Sequence, residues 1–283
     1  MPIQPEPGSL DPRSARTMAL LSRAVYTARP GDRGPDERHI LAALQAEDPG
    51  YRSVLGVSRN SAQAALIEHE QALVLCFRGT DEPADWLDSL DLAFERTADG
   101  VFHRGFLRTL FDVWEPLQTE RLRLQQQRPR PLFLTGHSLG GALAIVAAVH
   151  LLNRGEPFEA VVTFGQPRAL DQATAQAFDA RARSRCFRFQ NNNDVVTQAP
   201  TRLMGYEHVG NLLYITESGA IHPDPTPWLE VIDGVGGNVL GFRGLGLAGL
   251  GDHAMDLYLD AVEEWRLISG PLLPGSRRVS RPS

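Results

Sequence analysis

The chain has 283 residues and carries a formal net charge of −6. This length fits one large α/β domain with a substantial buried core, and the acidic balance argues against nucleic acid as a partner. Hydrophobic residues make up 42% of the chain and charged residues 22%, which agrees with a soluble globular protein.

The periodicity of apolar residues predicts strands and helices in alternation after an opening helical region. In chain order the predicted elements are helices over 14–26 and 35–45, paired strands over 62–69 and 72–77, an amphipathic helix over 105–125, and then strand 131–135, helix 138–152, strand 159–164, helix 171–183 and strand 186–190. This order indicates the α/β class, with a mostly parallel central sheet and helices on both faces. Two later strands, near 206–209 and 212–216, either continue that sheet or turn back as a hairpin.

The two ends of the chain differ from its middle. Residues 1–12 are rich in proline and lack the apolar core of a signal peptide. We therefore predict a flexible arm over 1–12, one α/β domain over 13–270 and a flexible tail over 271–283. Because residues 1–12 lack the apolar core of a signal peptide, we predict a protein that is cytoplasmic, or one exported by a route that uses no N-terminal signal peptide. Residues 234–251 are too rich in glycine, and too interrupted by charge, for a transmembrane helix.

The most informative motif lies between a predicted strand and a predicted helix, where residues 135–141 read T-G-H-S-L-G-G. In this context G-x-S-x-G indicates a nucleophile elbow, a sharp turn that exposes a serine hydroxyl above the end of a sheet. Gly136 and Gly140 lack a Cβ, so the strand and the helix can approach closely around Ser138. A glycine-rich turn with an incidental serine is the alternative, and the flanking elements favour the elbow.

A serine nucleophile needs an acid and a base, which in α/β-hydrolases follow it in the order Asp or Glu, then His. Asp194 follows the strand predicted over 186–190, so its carboxylate can point across the top of the sheet toward an imidazole. The residues around it, N-N-N-D, also suit a simple turn. Its order in the chain and its neighbouring elements favour the catalytic interpretation.

His253 is the predicted base among the eight histidines of the chain. It lies after a glycine-rich loop and at the start of the last predicted helix, where an imidazole can hang over the edge of the sheet. His208 and His222 also follow Asp194 and remain alternatives, although His208 suits a structural hydrogen bond in a strand better. His137 lies inside the elbow, and we expect its side chain to point away from the nucleophile.

With Ser138, Asp194 and His253 assembled, the sequence resembles the class 3 lipases, the fungal-type lipase family of α/β-hydrolases. Further motifs that carry this resemblance are L-V-L-C-F-R-G-T-D at 73–81, V-F-H-R-G-F at 101–106 and T-F-G-Q-P-R at 163–168. They are similar to the family's F-R-G-T or F-R-G-S strand, its H-x-G-F and its F-G-x-P. The resemblance runs from about residue 73 to residue 258, and its several ordered motifs make it more specific than the elbow alone.

The resemblance implies an oxyanion hole formed by Thr80 and by the backbone N–H of Leu139, the residue after the nucleophile. It also implies that His253 takes the proton of Ser138 as the hydroxyl attacks an ester carbonyl, and that Asp194 stabilises the imidazolium. One oxyanion donor is worth about 3 to 4 kcal/mol of the barrier. We expect no metal and no organic cofactor, since nothing in the sequence resembles a calcium loop.

Residues 81–91 follow the F-R-G-T strand, where the family carries its lid. On a helix, Trp86, Leu87 and Leu90 share one apolar face while acidic residues cover the other. Such a helix can close over an apolar cleft and roll away in transient contact with a lipid interface; a fixed amphipathic helix is the equal alternative. Residues 234–251 have two interpretations as well, a mobile apolar loop beside the acyl pocket or a structural connection.

The sequence therefore predicts a serine carboxylic-ester hydrolase of lipase type, which cleaves acylglycerols or short- and medium-chain esters through an acyl-enzyme on Ser138. A phospholipase A1 or another non-lipase esterase is the alternative among enzymes, because the same triad serves all three. Outside enzymes the alternative is a catalytically silent hydrolase fold used for binding. The presence of the full set Ser138, Asp194, His253 and Thr80 makes this alternative unfavourable. The expected partner is a lipid or small ester substrate.

Overall fold

A computed structural model describes residues 9–31, 34–80, 91–223, 225 and 251–269 of the chain. Its helices are α1 Pro12–Ala24, α2 Glu37–Glu47, α3 Arg104–Gln127, α4 Leu139–Asn153, α5 Gln172–Ala182 and α6 Met255–Ser269. Its strands are β1 Tyr51–Arg59, β2 Ala62–His69, β3 Ala72–Phe77, β4 Phe94–Thr97, β5 Gly100–His103, β6 Leu132–His137, β7 Ala160–Phe164, β8 Leu170–Asp171, β9 Cys186–Asn191, β10 Tyr206–Glu207, β11 Asn211–Ile215 and β12 Ile221–Pro223. None of the helices in these ranges is long and apolar enough to span a bilayer.

Within the described ranges, the central sheet has eight strands in the order β1-β2-β3-β6-β7-β9-β11-β12. Strands β1, β2 and β3 form an antiparallel meander, and the five strands from β3 to β11 in that order run parallel, with β12 returning antiparallel to β11. Parallel neighbours need a crossover on one face of the sheet, which α4 supplies between β6 and β7 and α5 between β7 and β9. The predicted α/β-hydrolase fold, with a mostly parallel central sheet, is confirmed.

Alternate residues of the buried strands face two separate hydrophobic cores. Leu73, Leu75 and Phe77 of β3 belong to the core beneath α3, α4 and α5. Val74 and Cys76 of the same strand belong to the core beneath α1, α2 and α6. Because successive side chains of a strand point to opposite faces, this alternation requires helices on both sides of the sheet.

Four short strands form a second sheet, in the order β10-β8-β5-β4. The two late strands predicted from the sequence therefore separate: β11 continues the central sheet beside β9, whereas β10 pairs with β8. Strand β1 was not predicted, because its buried residues Tyr51, Val54 and Val57 recur every third position and do not alternate. Its register shifts between Tyr51 and Ser53, where the strand is irregular.

The described residues begin within the stretch for which a flexible arm was predicted. Helix α1 starts at Pro12, and the Asp11 side chain caps it by accepting hydrogen bonds from the N–H groups of Arg13 and Ser14, at 2.9 and 3.0 Å. Leu10 is already buried. Residues 1–8 and 270–283 lie outside the described residues, so the rest of the arm and the tail stay predictions.

Candidate active site

Ser138 stands at the sharp turn between β6 and α4. Its backbone angles are φ 58° and ψ −131°, which few residues with a Cβ adopt. A Cβ added to Gly140 would lie 2.0 Å from the Phe77 carbonyl oxygen, and one added to Gly136 would lie 2.4 Å from the Gly140 backbone. Only glycine therefore allows β3, β6 and α4 to meet this closely around the serine.

Asp194 follows β9 by a short turn and is fully buried. Its Oδ1 accepts a hydrogen bond from the Val196 N–H at 2.9 Å, and its Oδ2 accepts from His253 Nδ1 at 2.8 Å and from the Tyr258 hydroxyl at 2.6 Å. Burial, reinforced by the Asp194 carboxylate, raises the pKa of Tyr258 well above its ordinary value, so the phenol keeps its proton and donates. Three donors thus fix the carboxylate against the base.

Gly165, from the F-G-Q-P motif, lies directly against the Asp194–His253 pair. Its φ is +57°, which favours glycine, and an added Cβ would lie 2.9 Å from Asp194 Oδ2 and 3.0 Å from His253 Nδ1. Any side chain at this position would collide with the carboxylate and the imidazole. The motif glycine is therefore required by the geometry of the acid–base pair.

Two polar atoms at the centre of the site have no hydrogen-bond partner among the described residues, Ser138 Oγ and His253 Nε2. Ser138 is fully buried and His253 is 3% exposed. Since buried polar atoms nearly always have partners, two unpaired atoms beside an Asp–His pair indicate groups kept free for a reaction. They are not bonded to each other in this conformation, and catalytic hydrogen bonds are often loose before substrate binds.

The two predicted oxyanion donors flank the serine. Leu139 is the first residue of α4. At this end of a helix the backbone N–H groups have no acceptor within the helix, and the helix dipole has its positive end. Thr80 follows Gly79, where an added Cβ would lie 2.9 Å from the Cβ of Ser138, so the chain that carries Thr80 passes beside the nucleophile. Both Thr80 and Leu139 are half-buried.

The other histidines have different surroundings from His253. His208 is half-buried, and its Nε2–H donates to the Thr197 carbonyl at 2.8 Å, which is a structural hydrogen bond. His222 lies on β12 and is exposed. The His137 ring lies against the ring of the predicted base, with 4.6 Å between the His137 and His253 ring centroids, a contact that was not predicted.

Sequence reasoning missed two tyrosines of this site. The Tyr258 hydroxyl contacts Asp194, and the Tyr26 hydroxyl lies 2.8 Å from His137 Nδ1. A tyrosine on an apolar helix face indicates that its hydroxyl needs a buried partner. The sequence does not say which partner, because both contacts join residues far apart in the chain.

The predicted lid residues Trp86, Leu87 and Leu90 lie outside the described residues, and so do residues 234–250 of the glycine-rich segment 234–251. Within the part of the chain that the structure describes, no group of three or more His, Cys, Asp and Glu side chains is placed to hold a metal ion.

The chain is similar to known lipases over most of its length. The family model for class 3 lipases matches residues 74–204. Secreted mono- and diacylglycerol lipase A of Penicillium cyclopium is 29% identical over 220 residues, which cover 75% of this chain and 70% of that protein. Phospholipase A1-II 1 of Oryza sativa subsp. indica is 29% identical over 171 residues, 50% of this chain and 42% of that protein. A solved triacylglycerol lipase whose catalytic centre is a serine protease triad has a TM-score of 0.63 and 25% identity, over 74% of this chain and 82% of that one.

These relatives overturn the predicted location. A cytoplasmic protein, or one exported without a signal peptide, was expected from the composition of the first twelve residues. Relatives such as the Penicillium protein are named as secreted, which points to extracellular export. The prediction was wrong because it rested on the composition of a short terminal stretch, which does not determine a compartment.

Proposed function

Because the chain belongs to the class 3 lipase family and is a serine ester hydrolase of lipase type, we propose that Ser138, His253 and Asp194 are its catalytic triad. The observation that supports this most strongly is the pair of unpartnered buried atoms, Ser138 Oγ and His253 Nε2. The hydrogen bond from His253 Nδ1 to Asp194 fixes the tautomer that leaves Nε2 free to accept a proton.

In the first half of the reaction, His253 Nε2 takes the proton of Ser138 while Oγ bonds to the carbonyl carbon of the ester. The imidazolium that forms is stabilised by Asp194, and it gives its proton to the leaving alcohol as the carbon–oxygen bond breaks. In the second half, water attacks the acyl-enzyme and passes a proton to His253. The acid leaves and Oγ recovers its proton.

Negative charge that develops on the carbonyl oxygen needs donors in fixed positions. Leu139 offers a backbone N–H at the positive end of α4, and Thr80 offers a hydroxyl and a backbone N–H beside Ser138. Because these donors are built into the fold, they pay no reorganisation cost in the transition state.

Replacing Thr80 by valine removes the hydroxyl and keeps the shape of the side chain. We expect Thr80→Val to lower kcat about 100-fold with little change in KM, because an oxyanion donor acts on the transition state more than on the bound ester. Thr80→Ser keeps the hydroxyl and should be nearly neutral. Steady-state kinetics on a soluble p-nitrophenyl ester measure this; a Thr80→Val enzyme impaired only in KM would mean that Thr80 shapes the pocket instead.

We further propose acylglycerols as the substrate class, since the Penicillium relative is named a mono- and diacylglycerol lipase. A phospholipase A1 activity is the second candidate, because a relative with that name matches half of the chain. The triad itself does not discriminate, as both reactions cleave a carboxylic ester through the same acyl-enzyme.

A substrate panel decides between the two. Purified enzyme is given p-nitrophenyl esters, emulsions of mono-, di- and triacylglycerol, and phosphatidylcholine vesicles, with phosphonate-inactivated enzyme as the background. We expect release of fatty acid from acylglycerols at a rate that exceeds release from phospholipid at least about tenfold. The reverse preference would assign the chain to the phospholipases, and no hydrolysis of any ester would overturn the proposed function.

A further inference from the structure

Both ring nitrogens of His137 have partners, although this residue is not part of the triad. Its Nε2 lies 2.7 Å from the backbone carbonyl oxygen of His253, and its Nδ1 lies 2.8 Å from the hydroxyl of Tyr26. A carbonyl oxygen only accepts, so Nε2 carries the proton and donates it. In the neutral ring Nδ1 then accepts from the Tyr26 hydroxyl.

The His137 ring is neutral for two physical reasons. Burial lowers its pKa well below the ordinary value for histidine, and the nearby His253 lowers it further. The surrounding groups come from several elements: Tyr26 follows α1, Arg78 lies over the Tyr26 ring after β3, and Tyr258 lies on α6. A neutral ring can make the two hydrogen bonds described, and it adds no second positive charge when His253 takes a proton.

We propose that His137 is a positioning residue, which ties the backbone of the base to the backbone of the nucleophile, and that Tyr26 holds His137 in that position. This inference rests on the proposed triad. His137 is covalently joined to Ser138, so one side chain sets the separation between the Ser138 and His253 backbones. The base is then held from two sides, at its ring by Asp194 and at its carbonyl by His137.

The backbone of His253 needs this hydrogen bond from His137 because of where His253 lies in the chain. His253 comes before the first turn of α6, and the preceding residue is anchored by a hydrogen bond from Asn191 Nδ2 to the Asp252 carbonyl at 2.8 Å. No strand of the described sheets contains His253. A displacement of about 1 Å between reacting groups can cost about 100-fold in rate. The hydrogen bond from His137 is thus placed to prevent a displacement that the reaction cannot tolerate.

The test compares two replacements of His137 on a soluble p-nitrophenyl ester. Leucine fills space but cannot donate, whereas the amide nitrogen of glutamine is separated from Cβ by the same number of bonds as Nε2 and can donate to the His253 carbonyl. We expect His137→Leu to lower kcat about 100-fold with KM changed less than about threefold, and His137→Gln to recover at least about tenfold of that loss. Tyr26→Phe should lower kcat by about fivefold to tenfold, again with little change in KM.

Matched controls come from buried groups of the same kind that lie away from the site. His150→Leu removes a buried histidine of α4 whose Nδ1 lies 2.6 Å from the Asp99 carboxylate. Tyr206→Phe removes a hydroxyl that donates to the Leu92 carbonyl at 3.0 Å. Both should keep kcat within about threefold of the wild type even where they lower the melting temperature. Melting curves of all variants separate loss of folding from loss of rate.

The inference is overturned if folded His137→Leu keeps its kcat, if it changes only KM, or if His137→Gln is as slow as His137→Leu. Should His137→Leu fail to fold, Tyr26→Phe decides: a lower kcat at constant KM supports the inference, and an unchanged kcat overturns it. Ser138→Ala is measured in parallel. An inactive Ser138→Ala beside a fully active His137→Leu removes this inference alone, whereas an active Ser138→Ala removes the proposed function itself.

Discussion

Ser138→Ala is expected to lower kcat for ester hydrolysis about 10⁶-fold, because the residue that forms the covalent intermediate is lost and the other two members of a triad cannot act without it. The residual rate comes from the oxyanion donors and substrate binding alone. The variant should fold normally, since alanine can occupy the same backbone conformation as serine at this turn. Removing a buried hydroxyl without a partner should leave stability unchanged or raise it by about 1 kcal/mol.

The measurement is hydrolysis of a p-nitrophenyl ester beside a melting curve for both proteins. Substrate binding should persist in the folded variant, which a non-hydrolysable ester analogue can check by calorimetry. Normal turnover by folded Ser138→Ala would remove Ser138 from the reaction and leave the elbow as a structural turn.

His253→Ala should cost about as much as Ser138→Ala, because the nucleophile without its base is a neutral hydroxyl, and Asp194→Asn should cost about 10⁴-fold. The double variant Ser138→Ala, His253→Ala should be no slower than either single variant, since residues that act as one unit give non-additive losses. Replacing His253 also removes one of three donors to the buried Asp194 carboxylate, so we expect His253→Ala to have a lower melting temperature than the wild type.

His208→Ala is the matched control for the base. His208 is another histidine after Asp194 and is half-buried, and its bond to the Thr197 carbonyl predicts a loss of stability with kcat within about tenfold of the wild type. If His208→Ala were the slow enzyme and His253→Ala the active one, the base would be His208. Equal losses in both would point to a general effect on folding, which the melting curves reveal.

The parts of the site that could be predicted from sequence are those encoded by neighbouring residues. The elbow needs a strand, two glycines around a serine and a helix, and all of them lie within one short segment that ends in α4. The choice of Asp194 and His253 as partners of Ser138 in the proposed triad rests on their order in the sequence, because the chain order of a hydrolase triad is tied to its fold. Strands β3 and β7 were predicted because each is a short, largely apolar run bounded by turns.

The parts that escaped prediction depend on contacts between distant residues or on very short elements. Strand β8 has two residues, too few for any periodicity, and its pairing with β10 was not predicted either. The hydrogen bond between Tyr26 and His137 joins residues 111 positions apart, and that between Tyr258 and Asp194 joins residues 64 positions apart. Such pairs are set by how α1 and α6 pack on the sheet, which no local pattern encodes.

Covalent labelling of the nucleophile tests the central claim most directly. An alkyl phosphonate p-nitrophenyl ester should phosphonylate one residue as Ser138 Oγ bonds to phosphorus and p-nitrophenolate leaves. Mass spectrometry of the digested protein should place a single adduct on Ser138, in proportion to the activity lost. His253→Ala should react far more slowly, because the hydroxyl then lacks its base. Inactivation with the adduct on any other residue, or with Ser138 unmodified, would contradict the assignment of Ser138 as nucleophile.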